Sequence, residues 1–165
     1  MVIDLAPTTW DHAFFLQARS ALSATIALES SVSDTCQQLH CLQMSIECLG
    51  KAYISRASGT APARRHDAFS LRAAEIPLAI LSMEDSDLTQ RLLRSFRAVQ
   101  HFAIEIEGLN PALAQRGSGI NVEYPWISGD EVLSPVTFNF SKRFPRAKRL
   151  RLINVLDNLL IFEGY

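Results

Sequence analysis

The chain has 165 residues, 48% of them hydrophobic and 20% charged, with a formal net charge of −1. That length predicts a single domain over residues 1–165, large enough to bury about 68–70% of its unfolded surface without a disulfide or a metal. No apolar run reaches about 18 residues and Asp4 stands where a signal peptide would be positive, so neither a spanning helix nor a secretory signal is expected, and a cytoplasmic location without membrane contact is.

Pro7, Thr8 and Thr9 precede a predicted helix over residues 10–30, with Phe14, Ala18, Ala21, Leu22 and Leu28 in helical register. Asp34 caps a second helix, with Gln37 three residues on as in a capping box. The apolar positions Leu39, Leu42, Ile46, Leu49 and Tyr53 then step by 3, 4, 3 and 4, a bundle seam. This helix fades near Ser58-Gly59. A linker with Pro62 follows, then a third helix over residues 66–75 that Pro77 interrupts, because proline lacks the donor and clashes with the preceding turn. A fourth starts at Ser86 or Asp87 and runs through Leu92, Leu93, Phe96, Val99 and Ile104 to Gly108. Pro111 and Gly117-Ser118-Gly119 open an irregular stretch in which residues 136–140 form a short extended segment. The last helix begins at Pro145, a residue suited to the first helical position, and carries Leu150, Ile153, Leu156, Leu159 and Leu160. The fold class is therefore all-α: a bundle of about five helices with an irregular insert around residues 109–140.

The chemistry-bearing residues fall in four groups. No Gly-rich phosphate loop, nucleophile elbow or His-Glu-x-x-His motif is present, which removes most standard enzyme classes. Cys36, His40, Met44 and Cys48 form a drifting stripe on the second helix. Cys36 and His40 have adjacent-turn ligand spacing, but with no second ligand pair the expectation is packing and no metal. The three cysteines, Cys36, Cys41 and Cys48, are an odd number in one segment, unlike a disulfide framework. Gln43, Glu47 and Lys51 make a row at i, i+4 and i+8, which taken alone reads as a solvated helical ion pair. Arg94 and His101, seven apart, lie within about 20° on one helix face and roughly 10.5 Å apart along it. Such a pair combines phosphate neutralisation with proton transfer, the minimum for cutting RNA without metal; Arg91 and Arg97 nearby support the plainer reading of a basic outer face.

Charge is distributed unevenly. Residues 1–140 sum to −5 and residues 141–165 to +4, the latter through Lys142, Arg143, Arg146, Lys148, Arg149 and Arg151. With Phe140 and Phe144 interleaved for base stacking, this cluster is a nucleic-acid candidate; pairing with the acidic body or a neighbouring subunit is the alternative.

Together, Gln43, Glu47, Lys51-Ala52 and, past the Gly59 turn, His66-Asp67 followed by Leu71 resemble the HEPN family. Its members show Gln, Glu and Lys-Ala on one helix, a short Gly-bearing loop, and His-Asp opening the next helix. The resemblance covers about residues 36–75, and Glu123-Tyr124-Pro125-Trp126 is similar to the Tyr-Pro element after the family's fourth helix. It implies a HEPN-like bundle of four to five helices that dimerises, with Gln43, Glu47, Lys51, Arg65 and His66 lining a cleft at the dimer face. Members include ribonuclease toxins, partners of minimal nucleotidyltransferases, defence components and non-catalytic nucleotide-binding modules. Ribonuclease members carry Arg, four to six residues, then His, at the start of a late helix. Arg94 and His101 meet the outer limit of that spacing, but Arg94 lies inside a helix. The expectation is a homodimeric, non-catalytic module without cofactor, binding nucleotide, RNA or a nucleotidyltransferase-like protein in a toxin–antitoxin or defence setting. A metal-independent ribonuclease using Arg94 and His101, and a purely structural interaction protein, are the competing readings.

Overall fold

Alanine, leucine and other good helix formers dominate the first two segments, and both are helical. In the computed structural model α1 is Trp10–Glu29 and α2 is Thr35–Ser58. The structure describes residues 9–29, 35–62, 64–82, 86–115 and 119–165; Pro7, Thr8, the expected Asp34 cap and Gly117-Ser118 lie outside them. The core stripe of α1 is Phe15, Ala18, Leu22 and Thr25, all fully buried. This corrects the expected register: Phe14, Ala21 and Leu28 flank the stripe and are half-buried. On α2 the seam Leu39, Leu42, Ile46, Leu49 and Tyr53 is buried throughout. So are Gln38, Gln43, Ser45, Glu47 and Gly50, which makes α2 the central helix of the bundle. It ends where Gly59 adopts φ 69° and donates its N–H to the Ser55 carbonyl at 2.7 Å, a left-handed stop that glycine adopts without strain.

The expected third helix is shorter than read, and a further helix that the sequence did not lead us to expect follows it. α3 is Ala68–Arg72 and α4 is Ile76–Leu81. Pro77 falls in the first turn of α4, where a missing N–H costs nothing, so it helps start a helix rather than interrupt one. α5, Ser86–Glu107, buries Leu92, Leu93, Phe96, Val99, Ala103 and Ile106. The insert is more ordered than its sequence indicates. Asn110 caps a short α6, Pro111–Ala114, accepting the Ala112 N–H at 3.0 Å. β1, Trp126–Ser128, pairs antiparallel with β2, Glu131–Leu133, in the register Trp126↔Leu133, Ile127↔Val132 and Ser128↔Glu131. Gly129 supplies the turn at φ 63°. Residues 136–140 are not the extended segment expected. Thr137 and Phe138 donate back to the Ser134 carbonyl at 3.1 and 2.9 Å, and Phe138 and Phe140 fold under Trp126. α7 is Phe140–Arg143 and α8 is Arg146–Phe162, with Pro145 as its N-cap, one residue before the first helical position.

The result is an all-α bundle with a two-stranded hairpin at one end. Its buried side chains form a continuous core of α1, α2, α5 and α8, closed by Phe69, Phe140 and Phe144. Among the described residues no helix is long and apolar enough to cross a membrane.

Candidate functional site

Glu47 sits on the central helix with its side chain only 4% exposed, so its carboxylate must be satisfied by protein groups. Lys51 Nζ donates to Oε1 at 2.6 Å, one helical turn on. Gln43 Nε2 donates to Oε2 at 2.9 Å, and Asn110 Nδ2 donates to the same oxygen at 3.2 Å. His66 Nδ1 lies 3.3 Å from Oε1 and 3.2 Å from Asn110 Nδ2. Unprotonated, that nitrogen accepts from Asn110; protonated, it donates to Glu47. The row on α2, far from being a solvated surface pair, is the centre of a buried polar cluster.

Three residues bring the loop to the helix. Gly50 permits contact that no other residue allows: a Cβ there would lie 2.2 Å from the Phe69 nitrogen and 2.4 Å from the Ala68 carbonyl carbon. Glu107, at the end of α5, accepts the Phe69 and Ser70 N–H groups at 2.6 and 2.9 Å and so anchors the start of α3. Burial pushes the Glu107 carboxyl above the ordinary carboxylate range and the charge on Glu47 pushes the same way, opposed by those N–H bonds. Asn110 then caps α6 with Oδ1 while its Nδ2 serves Glu47.

Sequence reasoning missed Gly50, Glu107 and Asn110. A glycine inside a strong helical pattern signals close backbone approach, and Asn-Pro is a helix-start signature. Nothing in the local sequence marks Glu107.

Of the expected cleft residues, Gln43 is fully buried and supports Glu47 without reaching a surface. Arg65 is exposed and stands between two depressions. One, of about 210 Å³, is polar and lined by Arg64, Arg65, His66 and Asp67. The other, of about 380 Å³, has Ile54, Pro62 and Leu71 in its walls. Among the described residues neither Arg64 nor Arg65 is in a salt bridge.

The remaining candidates lie elsewhere. Arg94 is exposed, its Nε donating to the Gln90 carbonyl at 3.2 Å. His101 is 89% exposed, 3.3 Å from Glu105, and borders a shallow depression with Lys148 and Arg151 rather than with Arg94. Neither joins the Glu47 cluster. The basic tail divides in two. Arg149 is buried, donating to Gln38 Oε1 at 2.9 Å and to the Phe144 carbonyl at 2.5 Å, and Arg146 pairs with Glu29. These two hold the acidic body, as the alternative reading had it. Lys142, Arg143, Lys148 and Arg151 are exposed. Phe140 and Phe144 are buried in the core, which removes the base-stacking role expected of them. In the cysteine stripe, Cys36 donates to the Val122 carbonyl at 3.3 Å and His40 faces Glu123 at 3.7 Å. Cys48 is buried, and burial pushes its thiol up to about 11.

These features define an all-α bundle with a buried charged cluster beneath an arginine-lined mouth. Comparison with protein families, with curated proteins and with solved structures finds no match to the chain.

Proposed function

We propose that the chain is a HEPN-like, homodimeric, non-catalytic module of the toxin–antitoxin or defence type, and that it binds a nucleotide at the mouth above Glu47. The observation that carries this reading is the position of Arg65, an exposed guanidinium shared by a polar and an apolar depression. Arg64, Arg65 and His66 offer donors to a phosphate on one side. Ile54, Pro62 and Leu71 offer an apolar wall to a base on the other. Glu47 supports the non-catalytic reading. With Lys51 donating to Oε1 and Gln43 and Asn110 to Oε2, its charge is already satisfied within the protein, and its role is to hold the loop in place.

Titration calorimetry with mono-, di- and triphosphate nucleosides tests the proposal. Arg65→Ala is expected to weaken binding about tenfold, the loss of one charge-assisted contact of roughly 1.5 kcal/mol, while the equally exposed Arg97→Ala leaves it unchanged. No binding by the wild type, or equal losses in both variants, overturns the site. Cleavage of RNA by the wild type in chelator, abolished in His101→Ala, overturns the non-catalytic reading in favour of the ribonuclease.

A further inference from the structure

The seam between α5 and α8 carries two depressions. The larger, of about 450 Å³, runs between residues 88–95 of α5 and residues 151–162 of α8, and the smaller lies between residues 98–105 of α5 and Lys148 and Arg151. The two helices are therefore antiparallel along the seam, and Arg151, which borders both depressions, stands level with the turn from Ser95 to Ala98. That register gives the larger depression a polar end and an apolar end. Ser95, Arg151 and Asn154 line the first, Leu88, Ile161 and Phe162 line the second, and Leu92 and Val155 form a buried floor between them. Leu88 and Ile161 remain 45% and 57% exposed, so the apolar end is open to solvent. Charge is one-sided as well. Arg19, Arg56, Arg72, Arg146 and Arg149 each meet a carboxylate. Arg91 and Arg151, both exposed, are in no salt bridge among the described residues, and the lining of the larger depression holds no carboxylate. Glu105 borders only the smaller depression, where it faces His101 at 3.3 Å.

A cationic end joined to an apolar floor and an apolar mouth selects an amphiphile, a negative head on a carbon tail. We propose that the larger depression binds a free single-chain carboxylate of fatty-acid type. Its head meets the Arg151 guanidinium, with Ser95 and the Asn154 amide as further donors. Its tail lies over Leu92 and Val155 toward Leu88, Ile161 and Phe162. From Arg151 to Phe162 α8 rises about 16 Å at about 1.5 Å per residue, the length open to head and tail together. Arg91 on the rim adds a second positive charge that draws the head in. A capacity of about 450 Å³ is that of a small-molecule site. A docked helix fits less well: anchors at i and i+7 need about 10.5 Å of apolar wall, and on α5 the wall from Leu88 to Leu92 gives about 6 Å. The site is separate from the Arg65 mouth and does not rest on nucleotide binding there.

Titration of the full chain with decanoate, followed by calorimetry and by amide NMR shifts, tests it. Decanoate is expected to saturate one site with a Kd below about 1 mM, and to shift the amides of residues 88–95 and 151–162. Acetate has the charge without the tail and decyl glucoside the tail without the charge, so each should bind at least about tenfold more weakly. Arg151→Ala and, separately, Leu88→Asp should each weaken decanoate binding about tenfold. Arg94→Ala, on α5 but outside the lining, should leave it unchanged. All three side chains are exposed, so the variants should melt as the wild type does. No saturable binding, equal binding of decyl glucoside, shifts confined to another face, or indifference to both substitutions overturns the proposal. Binding of an acidic amphipathic peptide or of phosphatidylglycerol vesicles with decanoate silent also overturns it, and gives the groove to a protein or to a lipid surface. None of these results bears on nucleotide binding at Arg65.

Discussion

Lys51 illustrates why burial, rather than spacing, decides what an ion pair contributes. At i, i+4 on an exposed helix, Glu47 and Lys51 would contribute about 0.2–0.5 kcal/mol. Here the Glu47 side chain is 4% exposed and Lys51 is its only ammonium partner among the described residues. Lys51→Ala leaves a buried carboxylate with two amide donors and a histidine, so it should cost about 3 kcal/mol. His66→Ala, on a side chain 40% exposed, should cost less than 1 kcal/mol, of the order of other surface changes. Paired denaturant melts of the two variants measure the difference. Equal losses would mean that Glu47 is solvated in solution. Arg149 shows the same effect in the tail. It belongs to a basic run in sequence, but its side chain is spent on Gln38, the Phe144 carbonyl and Glu29.

At the scale of elements, α2 was legible and the α3 junction was not. The 3, 4, 3, 4 stepping of Leu39, Leu42, Ile46, Leu49 and Tyr53 is a local property, and it buries as read. The placement of α3 is set by non-local contacts: Glu107 from α5 takes the first N–H groups of α3, and Gly50 lets α3 approach the α2 backbone. Gly50→Ala would raise helix propensity in a peptide. In this fold it places a methyl 2.2 Å from a backbone nitrogen that cannot step aside without losing the Glu107 bond. The expected loss is about 3 kcal/mol, at the upper end of overpacking costs, and thermal melts should show it. A stabilised Gly50→Ala protein would show that α3 does not pack on α2 as described.

Across the whole molecule, charged groups tie both ends of the bundle. At one end Glu29 of α1 accepts from Gln38 and Arg146 and lies 3.9 Å from the Arg149 guanidinium. At the other, Glu163 accepts from Tyr53 and Arg56, each at 2.7 Å, and Tyr165 stacks on Phe15. Burial alone would raise the Glu29 carboxyl, but the bonds from Gln38 and Arg146 outweigh it and hold the group below its ordinary value. As pH falls, the unfolded chain therefore takes up this proton first. The Glu29 contribution is complete above the ordinary carboxyl range and is lost as pH falls through the lowered value. Glu107, held above its ordinary value, acts in the opposite sense: its contribution is greatest at low pH and falls as pH rises. Glu29→Gln should lower the melting temperature at neutral pH and flatten its fall on acidification. An unchanged acid slope would mean that Glu29 is free in solution.

The sequence by itself determined the all-α class, the long helices to within a residue or two and the row Gln43, Glu47, Lys51, because helical periodicity and local propensity are carried by neighbours along the chain. Only the tertiary structure decided which face of α1 packs inward, that Pro77 starts a helix, and that Arg149 is buried while Arg151 is not. It also decided that Glu47 meets Asn110, 63 residues away, and that Glu107 anchors Phe69 from 38 residues away. Such pairings depend on which surfaces lose water together, and that is settled only when the helices pack.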